Sequence, residues 1–260
     1  MQADSTLTLA ENFQRYFAVE FASTPAQLQQ VFAMRYRVYC EEFKFEAPEA
    51  FPERMESDSY DPIAQHCLVR HRATGIPAGC VRMVPTFSTR QIDPLPFEKY
   101  CADSLDEAFI NRLALPRAQL CEISRLAVDG RFRQRKGEQL SRFGQPRAFQ
   151  ISAEEQRSFS LISVACFLAA TVLTEVSGRC YVFAMMEPFL PRMLQRSGIH
   201  FQRAGQDIDY HGKRAAYFVT TQATLAHMYP QLRELYGSIK SSLQESVYTH
   251  PKPVNPSTRL

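Results

Sequence analysis

The sequence has no tryptophan and no Cys-x-x-Cys pair, and its seven cysteines are scattered and odd in number. Zinc-ribbon and thioredoxin-type motifs are thereby excluded, no metal site is expected, and the cysteines read as small buried hydrophobes of a reducing compartment. No apolar run reaches the roughly 20 residues that span a bilayer. The longest, 161–172, reads as a buried helix. Residues 1–11 are polar and acidic rather than basic then apolar, so no signal peptide is expected. The expectation is a soluble cytoplasmic protein without stable membrane insertion. A net charge of +3 is too small to imply nucleic-acid binding. There is no internal repeat, and none of the six histidines sits in a nucleophile-elbow context, so no Ser-His-Asp set emerges.

What is present is enough apolar sequence, 45% of 260 residues, to bury a sizeable core in one large domain. The pattern predicts a strand over 16–22. Thr24 then reads as an N-cap and Pro25 as the first turn of a helix over about 26–43, where Leu28, Val31, Phe32, Tyr36 and Tyr39 recur at helical spacing. Strands are predicted over 66–72, 78–84, 119–128, 180–186 and 215–220, with 208–210 facing the last across a turn at 211–214. Helices are predicted over 158–176, 188–197 and 223–245. Residues 138–157 read as a polar insertion, 1–14 and 248–260 as tails, and 15–247 as a single domain. This order suggests a mixed sheet covered by helices.

Two polar clusters interrupt the pattern. Glu56-Ser57-Asp58-Ser59-Tyr60-Asp61 packs three carboxylates into one short turn. Residues 121–129 place Glu122 and Arg125 on an otherwise apolar strand, which leads into Gly130-Arg131-Phe132-Arg133-Gln134-Arg135-Lys136-Gly137, a basic loop bounded by glycines. Carboxylates take a proton from an amine or hold an ammonium group, and a basic turn with free backbone N–H groups holds phosphates. Together they point to an enzyme that joins an amine to a group carried on a phosphorylated handle. The plainer readings are a solvated acidic turn, a solvated basic loop, and a structural ion-pair network of Glu122 with Arg35, Arg82 or Arg125.

Four motifs in order carry a family resemblance across about residues 15–225: Arg35, Tyr39 and Phe45; Glu56, Asp58 and Asp61; Arg82; and Glu122, Ser124 and Arg125. On these the chain resembles the acyl-homoserine-lactone synthases and, more closely, the N-acyl amino acid synthase group associated with PEP-CTERM/exosortase systems, both in the GNAT-like acyltransferase superfamily. Residues 181–212 look like the C-terminal half of that group. Phe45 stands where many lactone synthases carry tryptophan.

The resemblance implies an α/β (α+β) fold, a three-layer αβα sandwich around a central mixed, splayed sheet. It implies an acyltransferase that moves a long-chain fatty acyl group from acyl carrier protein or acyl-CoA to the amine of an amino acid or similar acceptor. No tightly bound cofactor is implied; the acyl-phosphopantetheine donor is a co-substrate. Glu122 would be the general base, its carboxyl raised by burial, and Ser124 a hydrogen-bond donor near the thioester. Arg35, Tyr39, Phe45, Glu56, Asp58, Asp61, Arg82 and Arg125 would orient the amine. Leu126, Ala127 and Val128 would face the pantetheine, and Arg131, Arg133, Arg135, Lys136 and Gly137 its phosphate or an acidic carrier protein. Phe143, Phe149, Phe159, Phe167, Phe183, Met185 and Met186 are candidates for an acyl tunnel, or for simple core. A lactone synthase using S-adenosylmethionine, and a non-catalytic acyl-binding regulatory protein, are the alternatives.

Overall fold

Thr24 accepts a hydrogen bond from the Gln27 N–H and Pro25 occupies the first turn, so the chain passes from strand β1 (Phe17–Phe21) into helix α2 (Pro25–Tyr36) where the sequence predicts it. The structure is a computed structural model that describes residues 7–86, 94–133, 155 and 158–249. The expected tail over 1–14 is a helix from residue 9 onward. Helix α1 (Leu9–Tyr16) is capped by Thr8 and buries Ala10 and Phe13, and Phe13 stacks on Phe17 at 5.4 Å. Eight residues do not make a stable helix alone; this one exists because its apolar face reaches the core. Beyond α2 the helix loosens into one π-helical turn, Arg37–Glu42.

The remaining elements are β2 (Gln65–His71), β3 (Pro77–Pro85), α3 (Pro96–Tyr100), α4 (Glu107–Leu113), β4 (Leu120–Val128), α5 (Leu161–Ser177), β5 (Tyr181–Met186), α6 (Phe189–Gln195), β6 (Gln202–Arg203), β7 (Ile208–Asp209), β8 (Lys213–Thr220), α7 (Thr221–His227) and α8 (Pro230–Thr249). The strand order is β1-β2-β3-β4-β5-β8-β6, with β7 paired to β8. All neighbours are antiparallel except β4 and β5. The helix predicted over 223–245 is two helices. Proline has no N–H and disfavours helical backbone in the residue before it, so the chain breaks ahead of Pro230.

Side-chain alternation along the strands divides the core into two layers. Cys67, Val69, Val81, Met83 and Cys121 point to one face and pack on α1, α5 and α8. Leu68, Cys80 and Ala127 point to the other face and meet Val31, Met34 and Val38 of α2 and its π-turn. Val84 and Phe183 share that second face with α3 and α4. The expected mixed sheet between two helical layers is therefore present.

Gly79 sets how closely α5 lies on β3. A Cβ there would stand 2.7 Å from Ile162 Cγ2 and 2.8 Å from Cys166 Sγ, both fully buried. Gly79→Ala is expected to destabilise the protein by about 1–3 kcal/mol through overpacking. Denaturant unfolding measures this, and an unchanged midpoint would show that α5 slides freely.

Candidate active site

The same alternation brings the polar residues of three strands to one place. Arg82 of β3, Glu122 and Ser124 of β4, and Met185 of β5 all face the side covered by α2 and α3, where they line one cavity. The sheet is open beneath it. β4 and β5 pair only through Leu120–Tyr181, Cys121–Val182 and Glu122–Phe183, then part. Ala127 and Val128 pair with Cys80 and Gly79 of β3 on their other side, and the Leu126 carbonyl accepts from the Tyr39 hydroxyl at 2.9 Å. The β5-facing edge of β4 beyond Glu122 is thus without a strand partner among the described residues.

A bulge places the third residue of the strand motif. Between Cys80 and Arg82 of β3 the register on β4 jumps from Ala127 to Ser124, and Arg125 takes a positive φ of 51°. Regular alternation would send Arg125 to the α5 side. The bulge turns it to the cavity side instead, beside Ser124.

The expected arginine–carboxylate network forms as one cluster. Arg35 is fully buried on α2; its Nε–H donates to Glu56, and its two terminal nitrogens hold Asp61 bidentately at 2.7 and 3.1 Å. Arg82 Nη1 donates to Asp58 (2.6 Å) and Asp61 (2.9 Å), and its Nε–H donates to Ser124 Oγ (3.1 Å). Arg125 reaches Glu56, Asp58 and Glu46 at 3.2–3.4 Å. Burial alone would raise Asp61, but Arg35 and Arg82 override it and hold the carboxyl well below the usual range. Asp58 is lowered in the same way, chiefly by Arg82 against the effect of burial.

Glu122 stands apart from these pairs. It is 3% exposed, and its Oε2 accepts one hydrogen bond, from the Phe97 N–H at 2.8 Å. No ion pair joins it to Arg35, Arg82 or Arg125, so the purely structural reading of this carboxylate loses its partner among the described residues. Burial pushes its pKa up to about 7, with the Phe97 N–H and Arg82 holding it back. A carboxyl poised there can take a proton at neutral pH.

Several cavity residues carried no sequence signal. Tyr100, Tyr210, His211 and Arg214 enter from the α3 end and the β7–β8 turn, far from the motifs in sequence. His211 Nδ1 lies 2.9 Å from the Phe45 carbonyl, and its Nε2 lies 3.4 Å from Glu46. Tyr210 stacks on Tyr100 at 6.1 Å. The hairpin thus closes over Tyr39 and Phe45, which the sequence did single out, and Phe43 stacks behind Phe45 at 5.3 Å. The cavity is about 60 Å³.

Where it is described, the basic segment is tied to its own neighbours. Arg131 is held by Asp129 at 2.8 Å, and Arg133 donates to the Val128 carbonyl (2.8 Å) and pairs with Glu42. Neither is a loose solvated cation, because acidic neighbours from the strand end and the π-turn face them. Arg135, Lys136 and Gly137 lie outside the described residues, as do Phe143, Phe149 and nearly all of the 138–157 insertion. Of the other tunnel candidates, Met185 reaches the cavity, Phe183 stacks on Phe97 at 4.7 Å, and Phe159, Phe167 and Met186 pack on the α5–α6 side. Those three are core.

Residues 34–142 match the family model described as Acetyltransferase (GNAT) domain. Among solved structures, TofI in a ternary complex with an inhibitor and MTA superposes with a TM-score of 0.57 at 24% identity, over 84% of this chain and 99% of that one. The CoA-dependent acyl-homoserine lactone synthase MesI gives 0.53 at 17%, over 86% and 95%. FeeM, an N-acyl amino acid synthase from uncultured soil microbes, gives 0.52 at 12%, over 82% and 94%. At these identities the likeness is one of fold. No match was found among curated proteins.

Proposed function

We propose that this chain, whose residues 34–142 match an acetyltransferase (GNAT) domain model, is an N-acyltransferase that moves a long-chain fatty acyl group from acyl carrier protein or acyl-CoA to the amine of an amino acid or similar acceptor. The observation that carries this is Glu122: a buried carboxyl, free of the neighbouring ion pairs, that opens onto the cavity at the point where β4 and β5 part.

In this reading the pantetheine lies against Leu126, Ala127 and Val128 in the gap between the strands, and the thioester carbonyl comes beside Ser124. The ionised Asp58, at the cavity wall, attracts the acceptor ammonium. Glu122 accepts one of its protons, directly or through water. The neutral nitrogen attacks the thioester carbon, the C–N bond forms, the C–S bond breaks, and the thiol leaves with a proton. Arg82 fixes the Ser124 hydroxyl through its oxygen, which leaves the O–H free to donate to the oxyanion. Arg35 and Arg125 hold the acidic turn in place. In this reading the acceptor enters past Phe45 and His211, which line the cavity. The PEP-CTERM/exosortase association rests on the sequence resemblance alone.

Incubating the purified protein with long-chain acyl carrier protein, acyl-CoA and pooled amines, then weighing the product by mass spectrometry, tests the reading. An N-acyl amino acid supports it, an acyl lactone moves the protein to the S-adenosylmethionine alternative, and no acyl release leaves an acyl-binding protein.

If acyl carrier protein is the donor, the basic sequence over 131–136 is the segment proposed to meet its acidic surface. Complementary charge mainly raises association rate, so the double substitution Arg133→Glu, Arg135→Glu is expected to raise the carrier KM by roughly tenfold, with a far smaller effect on the amine KM. The wild-type reaction should slow as salt rises. A carrier KM that stays put, or turnover with acyl-CoA alone, would remove this role from the loop.

A further inference from the structure

The cavity holds three arginines, and two of them are spent. Arg82 is satisfied by Asp58, Asp61 and Ser124, and Arg125 by Glu46, Glu56 and Asp58. Arg214, at the start of β8, is different. Its Nε–H donates to the His211 carbonyl at 3.3 Å, and the nearest carboxylate recorded for it, Glu187, stands 4.0 Å from Nη2, beyond hydrogen-bond reach. Its guanidinium lies over the Phe45 ring, 5.6 Å from the centroid, and its side chain is 21% exposed on the cavity wall. Stacking on an aromatic face leaves the in-plane N–H groups of a guanidinium available, and their fork matches the two oxygens of a carboxylate.

We infer that Arg214 is the residue that reads a carboxylate on the acceptor, and that it sets the preference for an amino acid over its carboxamide. This rests on the acyl-transfer reading above. The cavity then has two poles. Asp58, at the β3–β4 side, and the proton-accepting Glu122 face the acceptor's nitrogen, while Arg214, at the hairpin side, faces its carboxylate. Phe45 supports the guanidinium from below, and His211 ties the Phe45 carbonyl to the same turn. A carboxylate-free amine would leave the terminal N–H groups of Arg214 without a hydrogen-bonded anion, since Glu187 stands 4.0 Å away. A site built to hydrogen-bond a charged group discriminates strongly against a substrate that lacks it.

The test compares each of the 20 standard amino acids with its carboxamide, which keeps the shape and removes the charge. Acyl transfer is followed by mass spectrometry, and binding by ligand-induced thermal stabilisation. The wild type is expected to favour the best amino acid over its amide by roughly 30-fold or more in kcat/KM, the scale of a charged hydrogen bond pair. Arg214→Met should bring that ratio toward one, mostly through KM of the acid, and Arg214→Lys should retain part of it. Circular dichroism checks that both variants fold, and the lysine variant carries the test if the methionine variant does not.

Equal use of acid and amide by the wild type overturns the inference while leaving acyl transfer intact, and so does discrimination that survives in Arg214→Met. Stabilisation by amino acids that depends on Arg214, with no acyl transfer to any amine, keeps the carboxylate site and removes the transferase reading. Neither binding nor acylation of any amino acid overturns both.

Discussion

Replacing Arg35 by methionine will cost the fold about 3–5 kcal/mol, the scale expected when one member of a buried charge cluster is removed and its partners are left behind. Arg35 is fully buried, and Glu56 and Asp61 are 1% and 9% exposed, so water cannot replace the lost guanidinium. A cost of this size is a large share of the 5–15 kcal/mol that typically holds a domain together. Guanidinium titration of both proteins measures it, and a difference under about 1 kcal/mol would mean that the cluster is solvated in solution. Burial raises the carboxyl of Asp61, yet Arg35 and Arg82 lower it below its ordinary value of 3.8. A depressed carboxyl contributes stability that is present above that value and is lost as pH falls below it. The wild type should therefore lose stability on acidification below about pH 4, and Arg35→Met should show a shallower loss over the same window. Adding Glu56→Gln to the Arg35 variant should recover part of the loss, because it removes one orphaned charge.

Glu122→Gln is expected to keep the fold and lower acyl transfer at least about tenfold, the lower end of what a positioned base contributes. Glutamine fits the same space and its amide oxygen still accepts from the Phe97 N–H, but it takes no proton. The wild-type rate should rise through pH about 7, where Glu122 ionises, and level off above it. The variant should lack that step. Equal turnover of the two proteins across the pH profile would end the base assignment. Stability should move the other way. A carboxyl whose folded pKa is raised, from 4.5 to about 7, contributes stability that is fully present below 4.5 and is lost as pH rises through 7. The two proteins should therefore be similarly stable at pH 5, with Glu122→Gln the more stable by roughly 3 kcal/mol at pH 8.

Residue type and spacing determined much of this protein. The capped start of α2, the longer strands and the helices over 161–177, 189–195 and 230–249 follow from local periodicity and from the Thr24-Pro25 signal, since these depend on neighbours in the chain, whereas α3, α4 and β6 are absent from the sequence-based expectation. Period-two alternation already puts Glu122 and Ser124 on one face of β4 and Arg82 on one face of β3. What sequence order cannot encode is which charges meet. Arg35 and Asp61 are 26 positions apart, and only the packing of α2 on β2 and β3 makes them partners. Helix α1 escapes sequence reading although Thr8 and Glu11 stand at capping-box spacing, because so short a helix needs the contact of Phe13 with Phe17 to persist. The bulge at Arg125 reverses the direction that alternation assigns to that side chain, and the extra residue shows only against the register of β3. Arg214 and His211 arrive on a hairpin some 90 residues after Glu122 in the numbering, with no motif to mark them. Local chemistry set the elements and the types of group available. The sheet's register and the closing of the hairpin, both products of long-range burial, decided that Glu122 forms no ion pair with the arginines and that one arginine of the cavity keeps its terminal N–H groups free of a hydrogen-bonded carboxylate.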